Sequence, residues 1–157
     1  MIVGHRPESL EPGRTLTPES VEQSDRAATL GAAVPGRLQL LLFERGHWCA
    51  ACRRHLALIS DEYDAFAERK IDIVAVTHES VDAISDRNYS FPLFADPFLE
   101  LAARFDLTGI DEFGVLTIRP STIIVQDSGE IVFSYVGDDS RDRPTIPALL
   151  LAIDNLT

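Results

Sequence analysis

The sequence predicts an α/β domain with one central mixed β-sheet and helices on both of its faces. Two buried apolar runs, Leu38–Glu44 and Ile71–Thr77, are separated by a long helical pattern, which is typical of a strand–helix–strand unit. Farther along, two β-branched runs at 121–126 and 130–136 form a predicted hairpin ahead of a final helix at 146–155. A βαβ half followed by a ββα half gives three layers, helix, sheet and helix.

The first helix is predicted over residues 50–70. Its apolar residues recur at spacings of 4, 3, 4 and 3 and so mark one buried face: Cys52, Leu56, Ile59, Tyr63 and Phe66. Between the two halves we expect a short helix at 81–88, a small strand at 91–94 and an inserted helix at 96–105. Asp96 and Pro97 suit the cap and the first turn of that inserted helix.

The N-terminal residues 1–36 are polar and rich in Pro, Gly and Glu, and we interpret them as an extension packed on the domain formed by residues 37–157. Within the extension, residues 18–30 are predicted to form a helix capped by Thr17. The start of the chain lacks the apolar stretch of a secretion signal. No apolar run approaches the ~20 residues of a membrane span. We therefore expect a cytoplasmic protein.

The composition is acidic, with 25 Asp and Glu against 14 Lys and Arg and a net charge of −11. Nucleic-acid binding requires a basic face, and binding to an anionic membrane surface requires a basic patch. Both classes of partner are excluded, and the charge is interpreted as a solvated surface.

The only two cysteines, Cys49 and Cys52, lie three residues apart. A disulfide between them closes a very small loop and constrains the unfolded chain little, so the pair indicates chemistry. Cys49 falls at a predicted helix N-terminus, where free N–H groups and the helix dipole favour a thiolate. The nearby charges of Arg45, Arg53 and Arg54 favour the same anion.

The two sulfurs are not equivalent in this pattern. Cys52 continues the buried stripe of the helix and is predicted to be shielded, whereas Cys49 follows a loop at the rim and is predicted to attack. Trp48 would cover part of the site.

A zinc site made from both cysteines, His47 and His55 is the main alternative. Structural zinc usually takes two separated ligand pairs, and no second pair is present. A c-type haem requires His directly after the second cysteine, where this chain has Arg53. No glycine-rich phosphate loop is present either. We therefore expect neither a metal nor an organic cofactor.

The run from Trp48 to Cys52 (WCAAC) resembles the active site of the thioredoxin fold. The longer run at 43–53 resembles the peroxiredoxin-like branch, the alkyl hydroperoxide reductase and thiol-specific antioxidant family. Segments 91–97, 99–107 and 119–125 resemble that family in the same order, so the resemblance covers about residues 35–155.

The resemblance implies roles for further residues. Pro120 would be a cis-proline facing the dithiol, and Arg119 would approach the sulfurs and stabilise a thiolate or a bound peroxide. Pro120 and Trp48 would border the substrate. A thioredoxin alignment makes Cys49 the nucleophile, whereas a peroxiredoxin alignment puts Cys52 at the peroxide-reactive position, so the order stays open.

The predicted function is that of a thiol–disulfide or peroxide oxidoreductase working through the CxxC dithiol, as a peroxiredoxin-like antioxidant protein. Its substrate would be a peroxide or a disulfide, and an external dithiol would reduce it again. A homodimer is left open. The alternatives are a general disulfide reductase and a redox-sensing binding module without turnover.

Overall fold

The structure is a computed structural model, and it describes residues 6–156. After a 3-10 turn at Glu8–Leu10, the strands are β1 (Glu19–Gln23), β2 (Arg26–Leu30), β3 (Leu38–Glu44), β4 (Ile71–Thr77), β5 (Leu93–Ala95), β6 (Thr108–Ile110), β7 (Leu116–Ile118), β8 (Ser121–Val125) and β9 (Ile131–Val136). The helices are α1 (Ala50–Asp61), α2 (Tyr63–Glu68), α3 (Val81–Ile84), α4 (Glu100–Arg104) and α5 (Ile146–Asp154).

The central sheet has the strand order β5-β4-β3-β8-β9. Strand β3 is parallel to β4, and β4 is parallel to β5. On its other side β3 is antiparallel to β8, which is in turn antiparallel to β9. The mixed sheet predicted from the sequence is confirmed.

Side chains of β3 alternate between two hydrophobic cores because successive residues of a strand point to opposite faces. Leu40 and Leu42 pack in the core that contains Leu56 and Ile59 of α1 and Leu149 of α5. On the opposite face, Leu41 and Phe43 of β3 lie in a core closed by α4 and by apolar residues of the N-terminal segment: Leu101, Phe105, Leu10, Leu16 and Leu30. The three-layer arrangement is confirmed.

The predicted helix at 18–30 is wrong, because this segment forms the β1–β2 hairpin. Burial alternates residue by residue along β1, which is the period of a strand with one covered face. Ser24 takes a positive φ of 53° in the turn. The side-chain amide of Gln23 also pairs with both backbone groups of Ala95, at 2.6 and 2.8 Å, so the hairpin is joined to β5.

The predicted helix at 50–70 is interrupted at Glu62, whose backbone (φ −97°, ψ 17°) leaves the helical region. Four residues of its predicted buried stripe are confirmed, since Cys52, Leu56, Ile59 and Phe66 are all nearly inaccessible. The fifth, Tyr63, is only half-buried. The inserted helix begins at Glu100 rather than near residue 96. Asp96 still caps it, because its carboxylate accepts the N–H groups of Leu101 and Ala102.

The β6–β7 hairpin was not predicted from the sequence. Its strands have only three residues each, with burial patterns that do not match, so they are too short to show a clear burial period. In residues 6–156, no helix is both long enough and apolar enough to cross a bilayer.

Candidate active site

The dithiol lies where β3 ends and α1 begins. Cys49 is the N-cap residue of α1, with extended backbone angles, and its Sγ accepts the backbone N–H of Cys52 at 3.3 Å. Both cysteines are free thiols. Cys52 is 1% exposed, as predicted, but Cys49 is only 6% exposed, so the loop covers it more than a rim position implies.

The protein environment separates the two thiols strongly. The pKa of Cys49 is lowered from 9.0 to about 6, first because the Cys52 thiol donates a hydrogen bond to its sulfur. The Cys52 backbone N–H and the charges of Arg143 and Arg45 lower it further, against the effect of burial. The pKa of Cys52 is raised, by that same hydrogen bond and then by burial and the Glu44 charge. Cys49 is therefore the thiolate of the reduced pair.

A buried charged cluster lies behind Cys52. The Nη2 of Arg143 donates to the Cys52 Sγ at 2.9 Å, and its Nη1 donates to Glu44 Oε2 at 2.5 Å. The other oxygen of Glu44 lies 3.2 Å from Nδ1 of His55. We refer to Glu44, His55 and Arg143 as the Arg143 cluster.

The Arg143 cluster was not predicted as a unit from the sequence. Arg143 lies 91 residues from Cys52, and no spacing rule joins them. Glu44 could have been found from the sequence, because it ends the apolar run of β3, and a carboxylate at the end of a buried strand requires a partner. His55 continues the face of Cys52 one turn along α1, which is a second such signal.

A second set of contacts joins the loop before Cys49 to the β6–β7 hairpin. The side chain of Arg45 is 4% exposed and donates to Asp111 at 3.2 Å and to Glu112 at 3.1 Å. Its guanidinium carbon lies 4.9 Å from the centre of the Trp48 ring. Trp48 itself is 55% exposed. The indole therefore forms the outer wall of the site, fixed from below by a buried cation.

Gly46 permits this position of Trp48. Its φ is +147°, a conformation that L side chains rarely adopt. A Cβ at residue 46 would lie 2.5 Å from Nε1 of Trp48. Glycine is thus required both by the backbone and by the close approach of the ring.

Arg119 lies at the start of the Pro120–β8 segment. Its Cγ passes over Gly109, where a Cβ would lie 2.6 Å away, and its Nη2 is 3.5 Å from the carbonyl oxygen of Gly137. The charges of Arg143 and Arg45 both lower the pKa of Cys49. A role for Arg119 at the sulfurs stays a prediction.

The prediction that Pro120 is a cis-proline is wrong, since no peptide bond in the described residues is cis. The trans form is the lower-energy isomer of an X–Pro bond. The next residue, Ser121, already pairs with Phe43 in the β8–β3 ladder. The carbonyl of Pro120 accepts the N–H of Gly137 at 2.8 Å, which ties this segment to the end of β9.

The two arginines that follow Cys52, Arg53 and Arg54, lie in the first turns of α1. Arg53 donates a hydrogen bond to the carbonyl oxygen of His47, a residue of the loop before α1. Arg54 is exposed and lines an apolar groove of about 700 Å³ between α1 and the start of α5, whose wall also includes His55 and Arg143. Among residues 6–156 there is no group of three or more His, Cys, Asp and Glu side chains placed to hold a metal ion.

Comparison with known proteins gives a consistent result. A family model described as the AhpC/TSA family matches residues 15–134. No curated protein matches the sequence significantly.

Several solved structures are similar to this chain. Peroxidoxin BcpB from Mycobacterium tuberculosis has a TM-score of 0.76 at 17% identity, over 94% of this chain and 99% of that one. The bacterioferritin comigratory protein of Xanthomonas campestris has a TM-score of 0.74 at 19% identity, over 100% and 98%. Mycobacterium bovis AhpC has a TM-score of 0.74 at 19% identity, over 94% and 92%. At these identities the likeness shows the fold, and the predicted thioredoxin fold is confirmed.

Proposed function

The chain belongs to the AhpC/TSA family and is a thiol-dependent oxidoreductase of the peroxiredoxin type, and on that premise we propose that Cys49 attacks the peroxide and Cys52 resolves the product. The observation that carries this order is the position of Cys49 at the N-cap of α1, with a pKa of about 6. Near neutral pH such a thiol is mostly thiolate, which is the nucleophilic form.

The proposed cycle has three balanced steps. The Cys49 thiolate attacks the peroxide oxygen that carries the hydrogen, the O–O bond breaks, and Cys49 becomes a sulfenic acid. The alkoxide or hydroxide that leaves takes a proton from the solvent and becomes an alcohol or water. Cys52 then attacks the Cys49 sulfur, forming an S–S bond and releasing water. An external dithiol reduces the disulfide to the two thiols and is itself oxidised.

The order with Cys52 first has less support. Cys52 is 1% exposed, and its pKa is raised by the hydrogen bond it donates to Cys49 and by burial. A peroxide would have to displace the loop and meet a protonated thiol. Cys52 is better suited to an attack within the molecule, because it lies one helical turn from Cys49.

The substrate class that we propose includes organic hydroperoxides. The similar bacterioferritin comigratory protein of Xanthomonas campestris has alkyl peroxide reduction activity. In this chain, the exposed Trp48 and the apolar groove beside α1 offer nonpolar surface near the sulfurs. We also assign Arg119 to the peroxide, as the family resemblance implies, with Pro120 and Trp48 bordering it. Replacement by Gln at residue 119 would then slow peroxide attack specifically.

The reductant that we propose is a dithiol protein. Trp48 is 55% exposed and Phe113 in the β6–β7 turn is 78% exposed, and Arg45 links the two segments. Such apolar side chains beside a dithiol suit the docking of another protein. A reducing cytoplasm and a homodimer belong to the same proposal. Sedimentation of the reduced protein and of the oxidised protein tests the dimer.

The decisive experiment is stopped-flow fluorescence of Trp48 when reduced protein is mixed anaerobically with hydrogen peroxide or cumene hydroperoxide. Trp48 is the only tryptophan and adjoins Cys49, so oxidation of Cys49 should change its emission. We expect two phases in the native chain, the first phase alone in Cys52→Ser, and no fast phase in Cys49→Ser. A fast first phase kept only by Cys49→Ser would reverse the assigned order.

A general disulfide reductase and a redox sensor, the two alternative functions, would give different results in the same stopped-flow experiment. A general disulfide reductase would respond slowly to both peroxides and rapidly to a small disulfide. A redox sensor would complete one oxidation but show no sustained turnover with a thioredoxin and its reductase. Either result would contradict the peroxidase proposal.

A further inference from the structure

The guanidinium of Arg143 lies against the sulfur that the proposed cycle uses second. We propose that Arg143 is a catalytic residue of the disulfide-forming step, where it stabilises the Cys52 thiolate, and that Glu44 and His55 are the positioning residues that hold it. This inference rests on the proposed function and adds residues to its second step.

Every polar group of Arg143 is engaged in a way that aims it at Cys52. Its Nε donates to the carbonyl oxygen of Ser140 at 2.6 Å, and its Nη1 donates to Glu44 at 2.5 Å. Only Nη2 is directed at the sulfur, at 2.9 Å. The side chain is 9% exposed, so the orientation is held in a place that water scarcely reaches. A charge-assisted hydrogen bond is strongest in such surroundings.

The Arg143 cluster favours a thiolate at Cys52 only after Cys49 has lost its own negative charge. Glu44 is 1% exposed and neutralises part of the arginine charge. In the reduced protein, Cys49 holds the negative charge and Cys52 donates its proton toward it. Once Cys49 has become a sulfenic acid, this largest obstacle to ionisation of Cys52 is gone, and the contact with Arg143 remains.

The step then balances without another reagent. The Cys52 sulfur attacks the Cys49 sulfur, the S–S bond forms and the S–O bond breaks. The departing hydroxide and the Cys52 proton together make water. Arg143 changes no bonds and acts by holding the attacking sulfur as an anion near its target.

His55 supports the far side of Glu44. Its Nδ1 lies 3.2 Å from Glu44 and 3.2 Å from Nη1 of Arg143. Its Nε2 is buried without a hydrogen-bond partner in the described residues, and the ring also lines the groove beside α1. The imidazole thus closes the cluster and prevents Glu44 from turning away from the arginine.

The test uses Ellman's reagent, which requires no peroxidase activity. Cys49 releases one thionitrobenzoate as it forms the mixed disulfide, and Cys52 releases the second as it closes the protein disulfide. The two releases are followed in stopped flow from pH 5 to pH 9 for the native chain and for Arg143→Gln. Arg104→Gln is the matched control, because Arg104 is an exposed arginine on α4, outside the groove beside α1.

We expect Arg143→Gln to slow the second release at least about tenfold near pH 7, as the loss of a charge-assisted hydrogen bond implies. The pH midpoint of that release should also move upward, which a merely structural role would not produce. At pH 9 the first release should stay within about threefold of the native rate, and Arg104→Gln should match the native chain throughout.

The inference is overturned if the second release is unchanged in Arg143→Gln, or if both releases slow equally at every pH. If Arg143→Gln does not fold, Arg143→Lys keeps the charge but cannot serve three partners at once. It should slow the second release several-fold, and a native rate would overturn the proposal. A native chain that ignores peroxides but closes its disulfide through Arg143 would defeat only the proposed function.

Discussion

The backbone N–H of Cys52 donates a hydrogen bond of 3.3 Å to the sulfur of Cys49. This contact places the Cys49 sulfur at the positive end of α1 and one turn from its partner. Because the Cys52 thiol also donates to the same sulfur, the pair holds a single negative charge on Cys49. The asymmetry of the dithiol follows from this geometry.

The rate of Cys49 oxidation should depend on pH with a midpoint near 6. The pKa is lowered by folding, so the thiolate fraction is small below that midpoint and reaches its plateau well before pH 8. In Cys52→Ala the largest cause of the lowering is removed, and the midpoint should move upward. The measurement is the pseudo-first-order rate with peroxide from pH 4.5 to pH 9. A midpoint unaffected by Cys52→Ala would contradict the hydrogen-bond explanation.

Asp111→Asn should lower the melting temperature and change the fluorescence of Trp48. Arg45 is buried, and its Nε has no hydrogen-bond partner in the described residues. Its buried charge is therefore stabilised mainly by the carboxylates of Asp111 and Glu112. Asparagine can keep its Oδ1 as the acceptor of the N–H groups of Phe113 and Val115. Its Nδ2 then stands where Oδ2 accepted from Arg45, so the substitution removes both the negative charge and that hydrogen bond.

Glu112→Gln is the control for Asp111→Asn, because Glu112 binds the same arginine but is 55% exposed. An exposed ion pair contributes little to stability. Its melting curve and fluorescence should match those of the native chain. Equal effects from the two substitutions would show that burial of the Asp111 charge is not what matters.

Gly46→Ala should displace the Trp48 ring and alter both its emission and the rate of Cys49 oxidation. The new methyl group would meet the indole, in addition to the strain of a positive φ. Gly36→Ala separates the two effects, since Gly36 has φ +82° and nothing lies within 4 Å of an added Cβ. We expect Gly36→Ala to lose some stability without changing fluorescence or rate.

Leu149→Ala should reduce the free energy of unfolding by about 2–5 kcal/mol, because it leaves a cavity in a closed core. Leu149 is 0% exposed on the inner face of α5, whereas Leu151 is 61% exposed on the same helix. Leu151→Ala should stay within about 0.5 kcal/mol of the native chain. Urea denaturation of both variants, at equal slope, gives the comparison.

The sequence by itself determined the central sheet and the place of the dithiol. The continuous apolar runs of β3 and β4, the β-branched runs of β8 and β9 and the helical spacing of the α1 stripe are local patterns, and local patterns are readable without a structure. The position of Cys49 at a helix start follows from the same pattern. The helix predicted at 18–30 is wrong because residues 19–23 pair with residues 26–30 instead, and the Gln23 side chain joins this hairpin to Ala95 of β5.

Only the tertiary structure decided what surrounds the sulfurs. Arg143 reaches Cys52 from the loop after β9, and Asp111 reaches Arg45 from the short β6–β7 hairpin. Such contacts join residues far apart in the chain, and nothing in local spacing encodes them. Their physical basis is the cost of burying a charge without a partner, which only the folded chain can meet by bringing an opposite charge to the same place.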